Sequence, residues 1–421
     1  MIQSSRKVRF LNYDWVSILI LHLLIFIGII SIYSTTHLNE PFSFTKTVYG
    51  KQLLWFIFSY FLILLLSIIP IKTIKENASL IYLLGIFLLI FVLLFSSKIN
   101  GNKSWFRIGP FSLQPAEFVK VSTVLGLAKL LTESGFNINK FKNLLQASIL
   151  IAAPILLILL QPDLGTAIVF LSLFIVLYRE GLSGTYYILS FLLIILFILT
   201  IYFGQKPMIV SVISVFIIIN ALIYLMKKKI NIITNIFLFL FSILTIIGTT
   251  FLFKKILKPH QRDRIEIILQ KKKDDKGSGY NLKQALLAFS SGGMQGKGFL
   301  KGTQTQGDYI PEQHTDWILT VIGEEWGFIG TFTIILLYTF LLLRLIFLAE
   351  RQKQRFSRIL GYGLVSFLFF HYALNFLMAI GMFPTIGIPF PFLSYGGSSL
   401  WAFILMFYVF LKFDAHRVED W

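Results

Sequence analysis

Cysteine is absent from the 421 residues, which excludes disulfides, thiolate metal sites and cysteine nucleophiles. Carboxylates are scarce: 20 Asp and Glu stand against 38 Lys and Arg, a formal net charge of +18. In a soluble protein that excess would suggest nucleic acid. Here most cations lie in short loops beside long apolar runs, the bias of membrane topology, so no nucleic-acid partner is expected. The basic start MIQSSRKVRFLNYDW precedes an apolar run with no small-residue cleavage pattern, so residues 15–34 read as a retained span. No alternating short-strand pattern supports a barrel. Internal repeats and low-complexity linkers are also missing.

What is there is hydrocarbon. The chain is 56% hydrophobic with 44 Phe, and its mean hydropathy is +0.77. The composition predicts an all-α polytopic integral membrane protein, because an apolar run of about 20 residues is what a spanning helix needs. About twelve spans are expected, near 15–34, 52–69, 79–96, 117–132, 143–160, 164–178, 184–203, 208–226, 231–252, 315–343, 361–381 and 396–412. With the N-terminus inside, every inside segment carries Lys or Arg, from Arg6, Lys7 and Arg9 to Lys412 and Arg417. Both termini then face the cytoplasm. The chain reads as one membrane domain over 1–421, with a long basic outer loop at 253–314; long loops translocate largely regardless of charge.

Ionisable residues inside a bilayer are costly, so their positions are informative. Glu117 and Lys120 lie three apart on one helix face, either a neutralising pair or a polar wall of a cleft. Asp163, in QPDLGT, reads first as a helix N-cap. Asp316 follows Glu312 and His314 where a glycine-rich polar loop enters an apolar helix. It is either a cap or a partly desolvated general base. Glu324 and Glu325 are costly if lipid-facing, so at least one should face a polar interior, and Gly323 with Gly327 permits close helix approach. GGMQGKG lacks the Ser or Thr and the preceding strand of a nucleotide-binding loop, although glycines with cations suit an anionic head group. His371 and Asn375 share a helix face suited to interhelical hydrogen bonds.

Six stretches together resemble the SEDS family (shape, elongation, division and sporulation) of bacterial cell-wall proteins. They are WFRIGPFSLQPAEFVK (105–120), QPDLGTAIVF (161–170), QRDRI (261–265), GSGY (277–280), the run 291–327 ending HTDWILTVIGEEWG, and GIPFPFLSYGGSS (387–399). KGTQTQGDYIPEQHTD is more similar to the elongation branch than to the division branch. The resemblance implies a peptidoglycan glycosyltransferase in the bacterial inner membrane, polymerising lipid II on the extracytoplasmic side. It implies Asp316 as catalytic base and Glu117 and Lys120 as substrate-binding. Arg107, Arg262, Arg264 and His314 are the further candidates for substrate contact. No cofactor is required by sequence, and a divalent cation (Mg or Mn) would assist the leaving pyrophosphate without a dedicated metal site. The implied partners are the growing lipid-linked glycan, a class B penicillin-binding transpeptidase, other elongation-complex membrane proteins and membrane lipids. Two features depart from the family pattern. The family has about ten spans, so 208–252 reads as an extra hairpin, and QKKKDDKGSGY is unusually basic. A lipid II flippase and a scaffold for the transpeptidase are the rival readings.

Overall fold

The computed structural model describes residues 12–37, 42–96, 103–108, 111–225, 232–272 and 277–418. Arg6, Lys7, Arg9 and Lys227–Lys229 lie outside them. In chain order come helices α1 (Trp15–Thr36), α2 (Val48–Ile68), α3 (Ile71–Glu76) and α4 (Ala78–Phe95), then a hairpin of β1 (Phe106–Ile108) and β2 (Phe111–Leu113). Next are α5 (Pro115–Leu131), α6 (Phe141–Leu160), α7 (Leu164–Val169), α8 (Leu173–Arg179), α9 (Gly184–Phe203), α10 (Gln205–Leu225) and α11 (Ile232–Phe251). The rest are α12 (Pro259–Ile268), α13 (Ser278–Ser291), α14 (Thr303–Gln306), α15 (Ile318–Glu350), α16 (Arg355–Ala379) and α17 (Gly397–Ala415).

The architecture is all-α and polytopic, as the composition implies. Among the described residues nine helices are long and apolar enough to cross a membrane. The other three expected spans are shorter: α5, the broken run Leu164–Arg179, and the apolar part of α10. Within 253–314, expected as loop, the chain forms α12, α13 and α14. Helix α13 buries Leu282, Ala285 and Ala288, one face at helical spacing.

The chain packs as two compact units, Met1–Gly181 with Tyr280–Trp421, and Leu182–Gly279. In the second unit Leu196, Met208 and Ile246 form an apolar cluster between α9, α10 and α11. Asn235 donates to Asn220 across the α10–α11 pair at 2.8 Å, satisfying polar groups that lipid would leave stranded.

The first unit is built around α5, which packs against α4, α6, α16 and α17. Fourteen of its residues are buried, Glu117 and Lys120 among them. Helices α16 and α17 are largely enclosed, whereas the Leu-, Ile- and Phe-rich α2, α4 and α6 are mostly exposed. In a bilayer that exposed surface faces lipid, so hydropathy here marks the outside of the bundle. At one end of the unit, carboxylates and arginines pair: Asp14 with Arg344 (2.5 Å), Asp414 with Arg351 (2.5 Å), Glu180 with Arg355 (2.6 Å) and Glu350 with Arg179 (2.8 Å). These are the cations that the sequence places inside.

At the other end, α15 is broken at Gly327 (φ 66, ψ −159). A continuous helix would bond the N–H of Phe328 and Ile329 to the carbonyls of Glu324 and Glu325. Instead, the loop 292–298 occupies the gap. Phe328 and Ile329 donate to the carbonyls of Gly293 (2.8 Å) and Met294 (3.1 Å), while Lys297 and Gly298 donate to those of Glu324 (3.0 Å) and Glu325 (2.9 Å). The glycines of GGMQGKG therefore allow backbone to dock on backbone: a Cβ on Gly296 would stand 2.1 Å from the Glu325 carbonyl oxygen. Glu324 staples the loop, accepting from Lys297 Nζ (2.6 Å) and from the backbone N–H of Gln304 and Thr305 (2.9 Å each). Glu325 accepts from Ser34 on α1. The intramembrane glutamates thus do find a polar interior.

Gly293 and Gly296 offer a controlled comparison. Both have positive φ, but a Cβ on Gly293 meets nothing within 4 Å. Gly293→Ala should cost about 1–2 kcal/mol for the left-handed backbone alone. Gly296→Ala adds the backbone collision and should lower the melting temperature in detergent clearly further. Equal shifts would mean that the plug does not depend on this approach.

Candidate active site

The site is assembled at the α15-break end of the first unit, from segments far apart in sequence. It starts at Gln114, where the hairpin meets α5. Pro115 opens α5, where its missing N–H has no cost. Gln114 donates its backbone N–H to Ser398 Oγ (2.9 Å) and its side-chain amide to Asp163 Oδ2 (2.8 Å). Asp163 also caps α7 by accepting from the Thr166 N–H (3.1 Å) and hydroxyl (2.9 Å), the role its sequence suggests. Behind this cap, Gly165 presses on the segment after α16, since a Cβ there would lie 2.3 Å from the Ile386 carbonyl oxygen.

One turn into α5, Lys120 Nζ donates to both oxygens of Glu117, each at 2.9 Å. Its third contact is His371 Nε2 on α16, also at 2.9 Å. The ring of Phe403 lies 5.0 Å away. Both side chains are almost completely buried. An ammonium has three N–H donors and no acceptor, so all three donors of Lys120 are engaged. Because Lys120 can only donate, Nε2 must accept, and the imidazole proton sits on Nδ1. From there His371 donates to the Pro389 carbonyl at 3.1 Å.

Asn375 stands one turn further along α16. Its side-chain N–H groups donate to the carbonyls of Asp316 and Ile388, both at 2.9 Å. The turn 387–395 is further bound to the HTD segment by the Ser394 hydroxyl, which donates to the Thr315 carbonyl (2.5 Å) and accepts from Phe390 N–H (2.8 Å). Tyr395 N–H donates to the His314 carbonyl at 2.8 Å. Gly387, at φ 73, passes beside the Asp316 carboxylate, where an added Cβ would lie 3.7 Å from Oδ2. Helix α15 has Trp317 at its N-cap position, so Asp316 precedes the cap. The half-buried Asp316 is thereby fixed through its backbone, by Asn375 and by its own N–H to Glu312 (3.2 Å).

His314 is half-buried, with its ring edge-on to Tyr395 at 5.6 Å. Burial holds its pKa below the usual imidazole range, outweighing the opposite pull of Glu312 and Asp308. The structure therefore brings Asp316 and His314 together and links them, through Asn375 and His371, to Glu117 and Lys120. Arg107 is exposed on β1, opposite Ser112 of the hairpin that leads into Gln114. Arg262 and Arg264 belong to the second unit, on α12. Among the described residues no group of three or more His, Asp or Glu is placed to hold a metal. Sequence reasoning passed over Gln114, Ser394 and Tyr395 as individual residues, although all three lie in the stretches that carry the resemblance.

These are the stretches that a family model also reads. The model described as FTSW_RODA_SPOVE, cell cycle protein, matches residues 14–211 and 205–419. The chain belongs to this family. It is 30% identical to the peptidoglycan glycosyltransferase RodA of Treponema pallidum (strain Nichols), over 97% of this chain and 98% of that one. To the peptidoglycan glycosyltransferase MrdB of Escherichia coli (strain K12) it is 31% identical, over 83% and 80%. A chain from a peptidoglycan synthase complex, solved for its coordination of polymerization and crosslinking, matches with a TM-score of 0.70 at 25% identity, covering 97% of this chain and 99% of that one. The Thermus thermophilus RodA crystal structure matches at 0.63 with 23% identity, covering 97% and 98%. In this FtsW/RodA/SpoVE member, the motif stretches 105–120, 161–170 and 387–399 meet the HTD segment within the first unit.

The His314 environment sets a sign for pH dependence. The unfolded imidazole titrates near about 6.5 and the folded one lower, so between those values the unfolded state holds more protons. Stability is full above about pH 6.5 and falls as the pH drops through that window. His314→Gln should remove this slope. Wild type should lose more melting temperature than the variant between pH 7.5 and 5.5, and parallel curves would contradict the assignment.

Proposed function

We propose that the protein is a peptidoglycan glycosyltransferase that polymerises lipid II into glycan strands during cell elongation. The observation that carries this reading is the half-buried Asp316 carboxylate, fixed at its backbone by α16 and by the turn 387–395, in a member of this family. The acceptor's 4-hydroxyl attacks the anomeric carbon of the donor. A new C–O bond forms, the bond to the pyrophosphate breaks, and the pyrophosphate leaves with the electron pair, inverting the centre. Asp316 takes the hydroxyl proton, the work of a positioned general base, typically worth ~10²–10⁴-fold in rate.

Negative charge grows on the leaving pyrophosphate, so cations aimed at it stabilise the transition state. Arg107, exposed on its hairpin, is the candidate in the first unit. His314, neutral near pH 7, would meet the sugar or peptide as a hydrogen-bonding group. Glu117 and Lys120 lie beneath the site as its buried polar wall. A Mg or Mn ion would be held chiefly by the substrate's pyrophosphate oxygens. No nucleotide enters, because the lipid pyrophosphate already activates the sugar.

In this reading the site faces the extracytoplasmic side of the bacterial inner membrane, both termini are cytoplasmic, and a class B penicillin-binding transpeptidase receives the strands. Of the relatives, the peptidoglycan synthase complex named for polymerization and crosslinking supports such a partnership. The elongation assignment follows the RodA and MrdB relatives; a division role is the alternative within the family.

The test is purified wild type and Asp316→Asn, each with the transpeptidase and labelled lipid II. Wild type should give glycan ladders. The variant, folded by its melting curve, should be slower by at least about a hundredfold. Equal ladders would remove Asp316 from the chemistry. No ladder from either, with lipid II crossing the bilayer of proteoliposomes, would favour the flippase.

A further inference from the structure

The Glu117–Lys120 pair presents a difficulty for direct substrate contact, because it is almost wholly buried and every donor of Lys120 is already used. The geometry points to His371 as a positioning residue, through which the buried pair sets the shape of the turn beside Asp316. The inference rests on Asp316 being the base.

The turn is hard to hold by ordinary means. Pro389 and Pro391 have no N–H to offer, and irregular backbone at membrane depth must be satisfied by protein. Its carbonyls are the available handles. His371 Nδ1–H holds that of Pro389, and Asn375 holds that of Ile388. Asn375 has only one amide orientation that donates, but an imidazole has two tautomers. In the wrong one, the Nδ1 lone pair would face the Pro389 oxygen at 3.1 Å and repel it. Lys120 removes that choice, since an ammionium at 2.9 Å from Nε2 admits no proton there. Glu117 in turn keeps the ammonium charged and aimed. No proton moves along this series. Its output is the path of Gly387–Phe390, and Gly387 borders the Asp316 carboxylate.

Two roles for Lys120 are thereby separable: touching substrate, or fixing a tautomer. Glu117→Gln with Lys120→Met removes the pair without leaving a bare charge. In that background His371→Asn places an amide nitrogen near the Nδ1 position, which donates to Pro389 whatever lies behind it. We expect the double variant to lose at least about tenfold in kcat with KM within about twofold, the pattern of a misplaced catalytic group. Adding His371→Asn should recover about fivefold or more of that loss. Hydrogen exchange of the amides in 386–396 should be faster in the double variant and slower again in the triple.

A triple variant as slow as the double, with unchanged exchange, would overturn the inference and return Lys120 to the substrate; so would a loss carried mainly by KM. Should the double variant not fold, His371→Gln and His371→Asn in the native pair decide the matter. The first keeps an acceptor for Lys120 and loses the donor to Pro389, so it should be the slower enzyme; equal rates would overturn the assignment. Retained polymerisation by Asp316→Asn would sink the base assignment alone, because the exchange pattern needs no turnover.

Discussion

A backbone N–H or C=O left unpaired in hydrocarbon costs several kcal/mol, and there is no water in the slab to help. This constraint shapes the first unit wherever its helices stop being regular. Where α15 breaks at Gly327, the two lost helical bonds are replaced by four bonds to the loop 292–298. Where the chain leaves α16 and turns back into α17, the carbonyls of Ile388 and Pro389 are met by Asn375 and His371. Gln52 on α2 accepts from the Gly396 N–H at 3.2 Å, close to the start of α17. In both places the departure from helix is covered by a side chain or a loop that the sequence supplies.

Charge obeys the same rule. Truncating one partner of a buried ion pair strands the other, at a cost of about 3–5 kcal/mol. Three buried carboxylates have cations or N–H groups against them: Glu117 has Lys120, Glu324 has Lys297 and two backbone amides, Asp414 has Arg351 and Gln352. Lys412 shows the rule from the cation's side, since its ammonium is bound by the carbonyls of Leu66, Ser67 and Ile69 at the end of α2. With carboxylates so few in the chain, a stabilising role and a functional role compete for the same residues. Asp316 is held at its backbone, by Asn375 and by its own N–H to Glu312.

Much of this was legible in the sequence. Apolar runs of spanning length lie where helices form, because hydropathy is a local property and a bilayer rewards it locally. The cap at Asp163 and the polar interior required by Glu324 and Glu325 follow from residue chemistry alone. Less legible was anything set by packing. Helix α5 is only 17 residues long and buries the polar Glu117, Lys120, Ser122 and Thr123, yet it is the centre of its unit, since its surroundings are protein. The glycines of GGMQGKG suggest room for a phosphate, whereas their neighbours are the backbone of a helix more than twenty residues downstream. His371 and Asn375 were readable as interhelical bonders from their spacing, but not their targets: the contact between Lys120 and His371 spans 251 positions, and no local pattern encodes it.

The break at Gly327 also divides α15 by length. The stretch Phe328–Glu350, rising about 1.5 Å per residue, covers about 34 Å, enough alone to cross a hydrocarbon core of about 30 Å. The nine residues Ile318–Trp326 are therefore more than one crossing requires, about 14 Å of further helix. Asp316 lies two residues before that extra length begins. On the proposed reading, such a helix would let the Asp316 carboxylate reach a lipid-linked sugar whose tail stays in the membrane, and the thickness of the surrounding bilayer would become part of the substrate geometry.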